Sequence, residues 1–191
     1  TTAENVAKKF NILREEQQEF AISSHNKAHE AQKNGKLSQE IIPIGECKED
    51  GNIRPNSTQE KLDQLKLAFD TKGTVTAATS SPLTDGAAAT IICEENYAKE
   101  NNLNILGRIV STAVEGCDPD YMGLGPIGAT KKALMRANLS IDKIDIFELN
   151  EAFASQSLAC IKDLGIDQKK VNIDGGALAL GHPLGATAVS Y

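Results

Sequence analysis

The sequence is short of aromatic residues and of positive charge. Its 191 residues contain no tryptophan, and aromatic side chains make up only 4% of the total. Apolar burial must therefore depend on alanine, isoleucine, leucine and valine, in a chain long enough for one core or parts of two. The net charge is −6 and the pI is near 5.1, whereas a nucleic-acid-binding surface needs clustered positive charge. We expect no nucleic-acid partner.

Long apolar runs and paired cysteines are also missing. No apolar run reaches about 18 residues, the length of a membrane-spanning helix, so we expect no membrane span. The cysteines Cys47, Cys93, Cys117 and Cys160 are far apart and form no C-x-x-C pair. Their spacing excludes the common zinc patterns and favours a reducing compartment over a disulfide scaffold. We expect no metal site, with Cys93 and Cys160 buried and Cys47 and Cys117 in loops.

Apolar periodicity and capping residues predict several helices. Thr1 and Glu4 have the spacing of a capping box, and so do Ser57 and Glu60. The pair Asn34-Gly35 is a C-cap signal at the end of the longest helix. The predicted helices cover residues 2–10, 13–35, 58–69, 94–102, 127–138 and 150–165.

Apolar segments between these helices predict β-strands. The candidates are residues 40–44, residues 73–77, a buried strand that ends at Cys93, and residues 105–116, 143–149 and 170–176. Strands that alternate with helices predict an α/β fold with a largely parallel or mixed sheet. Because the early part of the chain is mostly helix and loop, we expect a boundary near Thr84.

His25 and His29 lie four residues apart on the longest predicted helix and share one face. Helical metal pairs have this spacing, but no glutamate follows His25 as in H-E-x-x-H. The neighbouring serine, asparagine and lysine residues favour a solvated helix face over a metal site.

A glycine motif precedes the helix predicted at residues 127–138. Gly123, Gly125 and Gly128 have the spacing of a dinucleotide fingerprint, and Glu148 follows about twenty residues later. The preceding strand ends too early, however, and Pro126 occupies the tight turn. A nicotinamide-binding enzyme therefore stays as a weaker alternative.

Asn150 and His182 follow two consecutive predicted strands. Ligand-binding loops gather at the carboxyl ends of strands in open α/β sheets, so we expect both side chains to face one crevice. An amide and an imidazole N–H can together hold an oxyanion, directly or through a water molecule. A helix N-cap at Asn150 and a surface histidine at position 182 are the alternatives. A P-loop is excluded because His182-Pro183 replaces the required Lys-Ser/Thr.

Six segments, in order along nearly the whole chain, resemble the thiolase family of acetyl-CoA acetyltransferases and 3-ketoacyl-CoA thiolases. They read TTAENVAKKF, RPNSTQEKLDQLKLAF, GTVTAATSSPLTDGAAA, MGLGPIGATKKAL, DIFELNEAFASQ and GGALALGHPLG. The resemblance implies two similar α/β halves, each a mixed sheet with covering helices, and a helical and loop insertion that holds coenzyme A (CoA). It implies an incomplete copy of this fold, without the N-terminal nucleophile region and the C-terminal end.

The same resemblance implies a division of the chain and an activity. Residues 1–84 are expected in the CoA-binding loop domain, 85–107 in the last strand and helix region of the N-terminal half, and 108–191 in a truncated C-terminal half. The implied reaction, in fatty acid metabolism, is CoA-dependent cleavage of 3-oxoacyl-CoA or the reverse Claisen condensation of acetyl-CoA. Acyl-CoA is then the substrate, and no tightly bound cofactor is expected. The full-length enzyme is expected to be a homodimer or a dimer of dimers. Its expected location is the cytoplasm, and mitochondria and peroxisomes are the alternatives.

The resemblance further implies roles for individual residues. His182 polarises the thioester carbonyl and assists the nucleophilic cysteine, and Asn150 holds the water of the same oxyanion hole. Arg54 contacts the adenine–phosphate end of CoA, and Ser81 hydrogen-bonds the pantetheine. The pantetheine tunnel is lined by Leu65, Ala77, Met122, Ala152 and Phe153.

Two cysteines that carry the chemistry of this family have no match in the chain. One is the nucleophile of the N-terminal half, and the other is the acid/base of a C-G-G segment. We therefore expect the chain to be inactive alone. A non-catalytic module that binds acyl-CoA or lipid is the alternative, although binding alone needs no oxyanion hole.

Overall fold

The computed structural model describes residues 1–187. The α-helices in this range are α1 (Thr2–Phe10), α2 (Arg14–Lys33), α3 (Gln59–Asp63), α4 (Glu95–Glu100), α5 (Gly125–Ala137), α6 (Ala154–Leu164) and α7 (Ala177–Leu180). Short 3₁₀ helices lie at Leu37–Gln39, Ala77–Thr79, Pro119–Leu124, Ile141–Lys143 and Gln168–Lys170. No helix in the described range combines the length and the apolar character that a membrane span requires.

The first two helices lie where the sequence predicts them. α2 ends at Lys33 with Asn34 as its C-cap, and Gly35 follows with φ 75°, as the C-cap signal indicates. The prediction of a capping box at Thr1 is wrong, because the Thr1 side chain makes no cap hydrogen bond. Glu4 instead turns its carboxylate to another loop, where it accepts the backbone N–H of Thr74 at 3.0 Å. Glu4 therefore fixes a long-range loop rather than its own helix.

The core lies where α2 and α6 pack together. Its main cluster consists of Phe20, Ala21, Ala154, Ile161, Val171 and Leu178. A smaller cluster packs α1 against α6 and consists of Val6, Ile12 and Ala159. Small side chains at these contacts let the helices approach closely, in agreement with the low aromatic content.

α3 is much shorter than predicted. Its N-cap is Thr58 rather than Ser57, and the Thr58 hydroxyl accepts the N–H of Lys61. The guanidinium of Arg14, on α2, donates to the carbonyls of residues 62, 63 and 65. These contacts satisfy carbonyl groups at the helix end, so the chain can leave the helix early.

None of the predicted strands forms within residues 1–187. Pairing there is limited to isolated bridges, among them Phe147 with Val171 and Leu83 with His182, both parallel. The segment that ends at Cys93 was expected to be a buried strand, and this is wrong, because it is exposed. Residues 40–44 and 105–116 are likewise not strands. No neighbouring strand in the described range lies beside these segments to complete a sheet.

Large apolar side chains are exposed along residues 83–116, which we call the apolar segment. Leu83 is 98% exposed and Leu106 is 92% exposed. Its other exposed large apolar residues are Ile91, Ile92, Tyr97, Leu103, Ile105, Ile109, Val110 and Val114. Exposed large apolar side chains in this number indicate a contact surface.

We expect the isolated chain to self-associate through the apolar segment, since backbone without strand partners and apolar side chains are exposed together. Light scattering after size-exclusion chromatography should give a mass above the 20.4 kDa of one chain. Ile91→Lys with Leu106→Lys should lower that mass, whereas Met135→Lys, an exposed position on α5, should not. A monomeric wild-type chain with a sharp thermal transition would contradict this expectation.

Candidate active site

Asn150 and His182 lie in contact, as their positions after successive segments predict. Asn150 Nδ2 is 3.3 Å from His182 Nε2. α6 takes Phe153 as its N-cap, so the N-cap interpretation of Asn150 is wrong. The Oδ1 atom of Asn150 is buried without a hydrogen-bond partner among the described residues. The amide therefore keeps hydrogen-bonding capacity for a water molecule or a ligand.

The loop around His182 orients the imidazole. Nδ1 lies 2.6 Å from Thr187 Oγ1, and that hydroxyl donates to the carbonyl of Pro183 at 3.0 Å. In the tautomer with the ring proton on Nδ1, that N–H donates to the Thr187 hydroxyl and the lone pair of Nε2 faces Asn150. The backbone N–H of His182 donates to Thr84 Oγ1 at 3.2 Å.

Two glycines let the chain bend into this position, as the glycine-rich loop predicts. Gly181 has φ 104°, and a Cβ there would lie 2.3 Å from Thr84 Oγ1. Gly175 has φ 87°, and a Cβ there would lie 2.6 Å from the Cβ of Ala28. Both positions need a residue that accepts positive φ and has no side chain.

Open space adjoins the imidazole. A cavity of about 440 Å³ is lined by Leu83, Thr84, Asp85, His182 and Leu184. A small acyl group can therefore reach His182 from the solvent side. None of the four cysteines lines this cavity.

A larger cleft of about 860 Å³ lies between α2, α3 and the segment that follows Val75. Four residues expected to bind CoA line it: Arg54, Leu65, Ala77 and Ser81. Ala21 and Leu178 also line it, and both belong to the main core cluster. The cleft therefore has a firm apolar floor, and its volume is in the range of small-molecule sites.

Ala152 and Phe153 adjoin the cleft without lining it. Ser81 donates its backbone N–H at 3.1 Å and its hydroxyl at 3.2 Å to the carbonyl of Ala152. The ring of Phe153 meets the ring of Phe69, which lines the cleft, edge to face at 6.0 Å between centroids. Met122 differs from the expectation: it is 64% exposed and lies outside both cavities, because its 3₁₀ helix packs on α1 and α6.

His25 does not lie on a solvated face, so that prediction is wrong. It is 6% exposed, lines the cleft, and its Nδ1 accepts the backbone N–H of Arg54 at 3.2 Å. Burial and the Arg54 charge lower the pKa of His25 below its ordinary value of 6.5. The helical spacing of Ala21, Ser24 and Ala28 around His25 could have indicated a buried face.

The described residues hold no cluster of three or more metal-binding side chains.

The cysteines do not form a nucleophilic centre in the described structure. Cys160 is buried as predicted, and burial raises its pKa to about 11, so its thiolate is scarce at neutral pH. Cys93 was expected to be buried and is exposed. Cys47 and Cys117 lie outside the helices, as predicted for loop residues, and both are exposed.

The glycines of the dinucleotide-like motif face side chains rather than an open groove. A Cβ at Gly123 would lie 2.9 Å from Gln156 Cγ, and one at Gly128 would lie 2.7 Å from Glu115 Cγ. Gly125 begins α5. Close packing explains this spacing, which weakens the nicotinamide alternative.

Comparison with known families matches both parts of the chain. Residues 1–96 match the family described as "Thiolase, N-terminal domain", and residues 103–190 match "Thiolase, C-terminal domain". A 3-ketoacyl-CoA thiolase of Marinobacter nauticus is 52% identical over 97% of the chain, and one of Aliivibrio salmonicida is 53% identical over 97%. The chain spans 51% of each of these relatives, about half their length.

Solved structures of the same family superpose closely. The Bacillus anthracis acetyl-CoA acetyltransferase gives a TM-score of 0.94 at 42% identity, covering 99% of this chain and 51% of that one. Human mitochondrial 3-ketoacyl-CoA thiolase in complex with CoA gives a TM-score of 0.93 at 44% identity, covering 97% of this chain and 48% of that one. The chain therefore has the thiolase fold in partial copy.

We expect His25 to lower the free energy of unfolding in acid. Its folded pKa is lowered, so below the ordinary value of 6.5 the unfolded chain binds a proton that the folded chain resists. Its contribution to stability is therefore complete above that value and is lost as the pH falls through it. Urea midpoints measured between about pH 7 and pH 5 should fall less in His25→Asn, which keeps an acceptor near Arg54. His29→Gln is the matched control and should follow the wild type; equal slopes for His25→Asn and wild type would refute this assignment.

Proposed function

Because the chain belongs to the thiolase family, we propose that it is a portion of an enzyme that cleaves 3-oxoacyl-CoA with CoA into acetyl-CoA and a shortened acyl-CoA, or runs the reverse condensation. The observation that carries this proposal is the 3.3 Å contact between Asn150 and His182. The Asn150 loop continues into Ala152, whose carbonyl is bonded to Ser81 at the large cleft. The pair and the cleft therefore share one loop.

His182 has two successive tasks in the proposed reaction. With the ring proton on Nδ1, Nε2 can take the proton of a cysteine thiol and can then donate a hydrogen bond. The amide of Asn150 can hold a water molecule beside it. Together they place donors where negative charge develops on the thioester oxygen.

CoA is the proposed substrate of the large cleft, and we propose no tightly bound cofactor. Arg54 is exposed at the cleft, where its guanidinium can stack on adenine and pair with phosphate. Leu65 and Ala77 offer apolar surface to the pantetheine. Ala152 and Phe153 lie beside the cleft and contact two of its lining residues, Ser81 and Phe69.

The chain alone is proposed to be inactive. Donors that stabilise charge cannot form an acyl-enzyme without a nucleophile, and the α-proton needs a base. The burial of Cys160 disfavours its thiolate, and Cys47, Cys93 and Cys117 lie outside the cavity beside His182. We assign the nucleophilic and acid/base cysteines to parts of the enzyme outside these 191 residues.

The proposed architecture follows the three expected parts. Residues 1–84 form the CoA-binding loop domain, 85–107 belong to the N-terminal half, and 108–191 belong to the C-terminal half. In the complete fold, extended residues of the apolar segment become strands of mixed sheets covered by helices, which would explain their exposed side chains. The proposed assembly is a homodimer or a dimer of dimers, and the proposed location is the cytoplasm.

Calorimetric titration tests the proposed substrate. The chain should bind CoA and should not bind NADH. Arg54→Ala should weaken CoA binding by about 1–3 kcal/mol, the range of a charge-assisted contact. Arg108→Ala is the matched control, since Arg108 is an exposed arginine that pairs with Glu95 outside the cleft. Equal CoA affinity in Arg54→Ala and wild type would remove Arg54 from the site, and no CoA binding by wild type would refute the proposed function.

A further inference from the structure

Glu151, the residue after Asn150, holds a buried carboxylate that the proposed chemistry does not use. The residue is 1% exposed. Its Oε2 accepts the hydroxyl of Ser24 at 2.7 Å and the backbone N–H of Leu178 at 3.1 Å. Its Oε1 accepts Nδ2 of Asn172 at 2.8 Å. Burial raises the pKa of this carboxyl and the three donors lower it, so the donors offset part of the cost of burying a charge.

The three donors belong to three separate segments of the chain. Ser24 lies on α2, which also lines the CoA cleft through Ala21 and His25. Leu178 lies on α7, which leads directly to His182. Asn172, which has φ 47°, lies two residues after the 3₁₀ helix Gln168–Lys170. The carboxylate is therefore a common acceptor for the cleft helix and for the loop that carries the imidazole.

The packing around Glu151 is as specific as its hydrogen bonds. A Cβ at Gly176 would lie 2.4 Å from the Glu151 carboxyl carbon. The backbone N–H of Gly176 donates to Ser24 Oγ at 3.0 Å, and the Ser24 hydroxyl donates onward to Glu151. The start of the His182 loop is thus attached to α2 through the same carboxylate.

We propose that Glu151 is a positioning residue that sets the separation of Asn150 and His182 and couples this pair to the CoA cleft through Ser24. Asn150 directly precedes Glu151 in the chain. His182 lies four residues after Leu178, whose backbone N–H donates to the Glu151 carboxylate. The catalytic meaning of this role rests on the proposed function, whereas the geometric role does not.

Glutamine cannot replace Glu151 in this network. Its amide nitrogen would face Asn172 Nδ2 in one orientation and the backbone N–H of Leu178 in the other. Asn172 cannot turn over, because its Oδ1 accepts the N–H of Leu149 and its Nδ2 also donates to the carbonyl of Leu149. Glu151→Gln therefore sets donor against donor in either orientation while keeping the side-chain volume.

The test follows the exchange of the imidazole C2–H for deuterium in the 191-residue chain, read by mass spectrometry as a function of pH. Loss of the amide contact to Nε2 in Glu151→Gln should move the His182 profile toward higher pH, whereas loss of the carboxylate charge alone would move it toward lower pH. A shift toward higher pH therefore reports the lost contact. The profile of His29 in the same sample should not move. CoA affinity should fall about tenfold.

Glu4→Gln is the matched control, because Glu4 also accepts backbone N–H groups, from the separate loop at residues 74 and 75. It should lower the urea midpoint without moving the His182 profile. An unmoved His182 profile in Glu151→Gln would overturn the inference, and so would an equal shift in Glu4→Gln. If Glu151→Gln does not fold, Ser24→Ala is the test variant. The His182 profile should then move in the same direction by a smaller amount, and an unmoved profile would overturn the inference.

The experiment separates this inference from the proposed function. If the wild type fails to bind CoA while Glu151→Gln moves the His182 profile, the proposed function fails and the positioning role stands. If the wild type binds CoA and the profile does not move, the positioning role fails and the proposed function stands.

Discussion

The arrangement of the site depends on one constraint, which is that a carboxylate removed from water must be surrounded by donors. Glu151 meets this constraint with donors from α2, from α7 and from the segment at Asn172. A buried carboxyl group with these partners cannot move without leaving an acceptor or a donor unpaired. The long-range order of the chain near the site therefore follows from a polar contact, whereas its helices follow from apolar packing.

The helices and the Asn150–His182 pair could be predicted from the sequence because their signals are local. The C-cap at Asn34 depends on residues close to it in the chain, and a glycine that needs positive φ, such as Gly181, is recognisable by its neighbours. The thiolase resemblance, carried by six ordered segments, named four residues that line the large cleft, which are Arg54, Leu65, Ala77 and Ser81. Ala152 and Phe153 adjoin this cleft, and Met122 lies outside it. For Met122 the packing of its 3₁₀ helix on α1 and α6 decided the position.

The remaining differences have a common cause, which is the choice of a long-range partner over a local one. Glu4 has the spacing of a capping residue and binds the loop at Thr74 instead. His25 has polar neighbours in sequence, yet it accepts the N–H of Arg54 across the cleft. The predicted strand that ends at Cys93 lacks a partner strand within the described range, so its β-propensity does not produce a sheet. The composition of the chain and the spacing of its residues do not predict such long-range partners.

The central claim is that Asn150 and His182 polarise a thioester carbonyl once Nε2 carries a proton, which comes from a thiol in the complete enzyme and from solvent in this chain. Isotope-edited infrared spectroscopy of acetyl-CoA, ¹³C-labelled at the thioester carbonyl and bound to this chain, measures that polarisation directly. The account predicts that the carbonyl stretch moves to lower frequency on binding to the wild type, and that the shift is lost in His182→Ala and kept in His29→Ala. A bound carbonyl with the same frequency in the wild type and in His182→Ala would contradict the account.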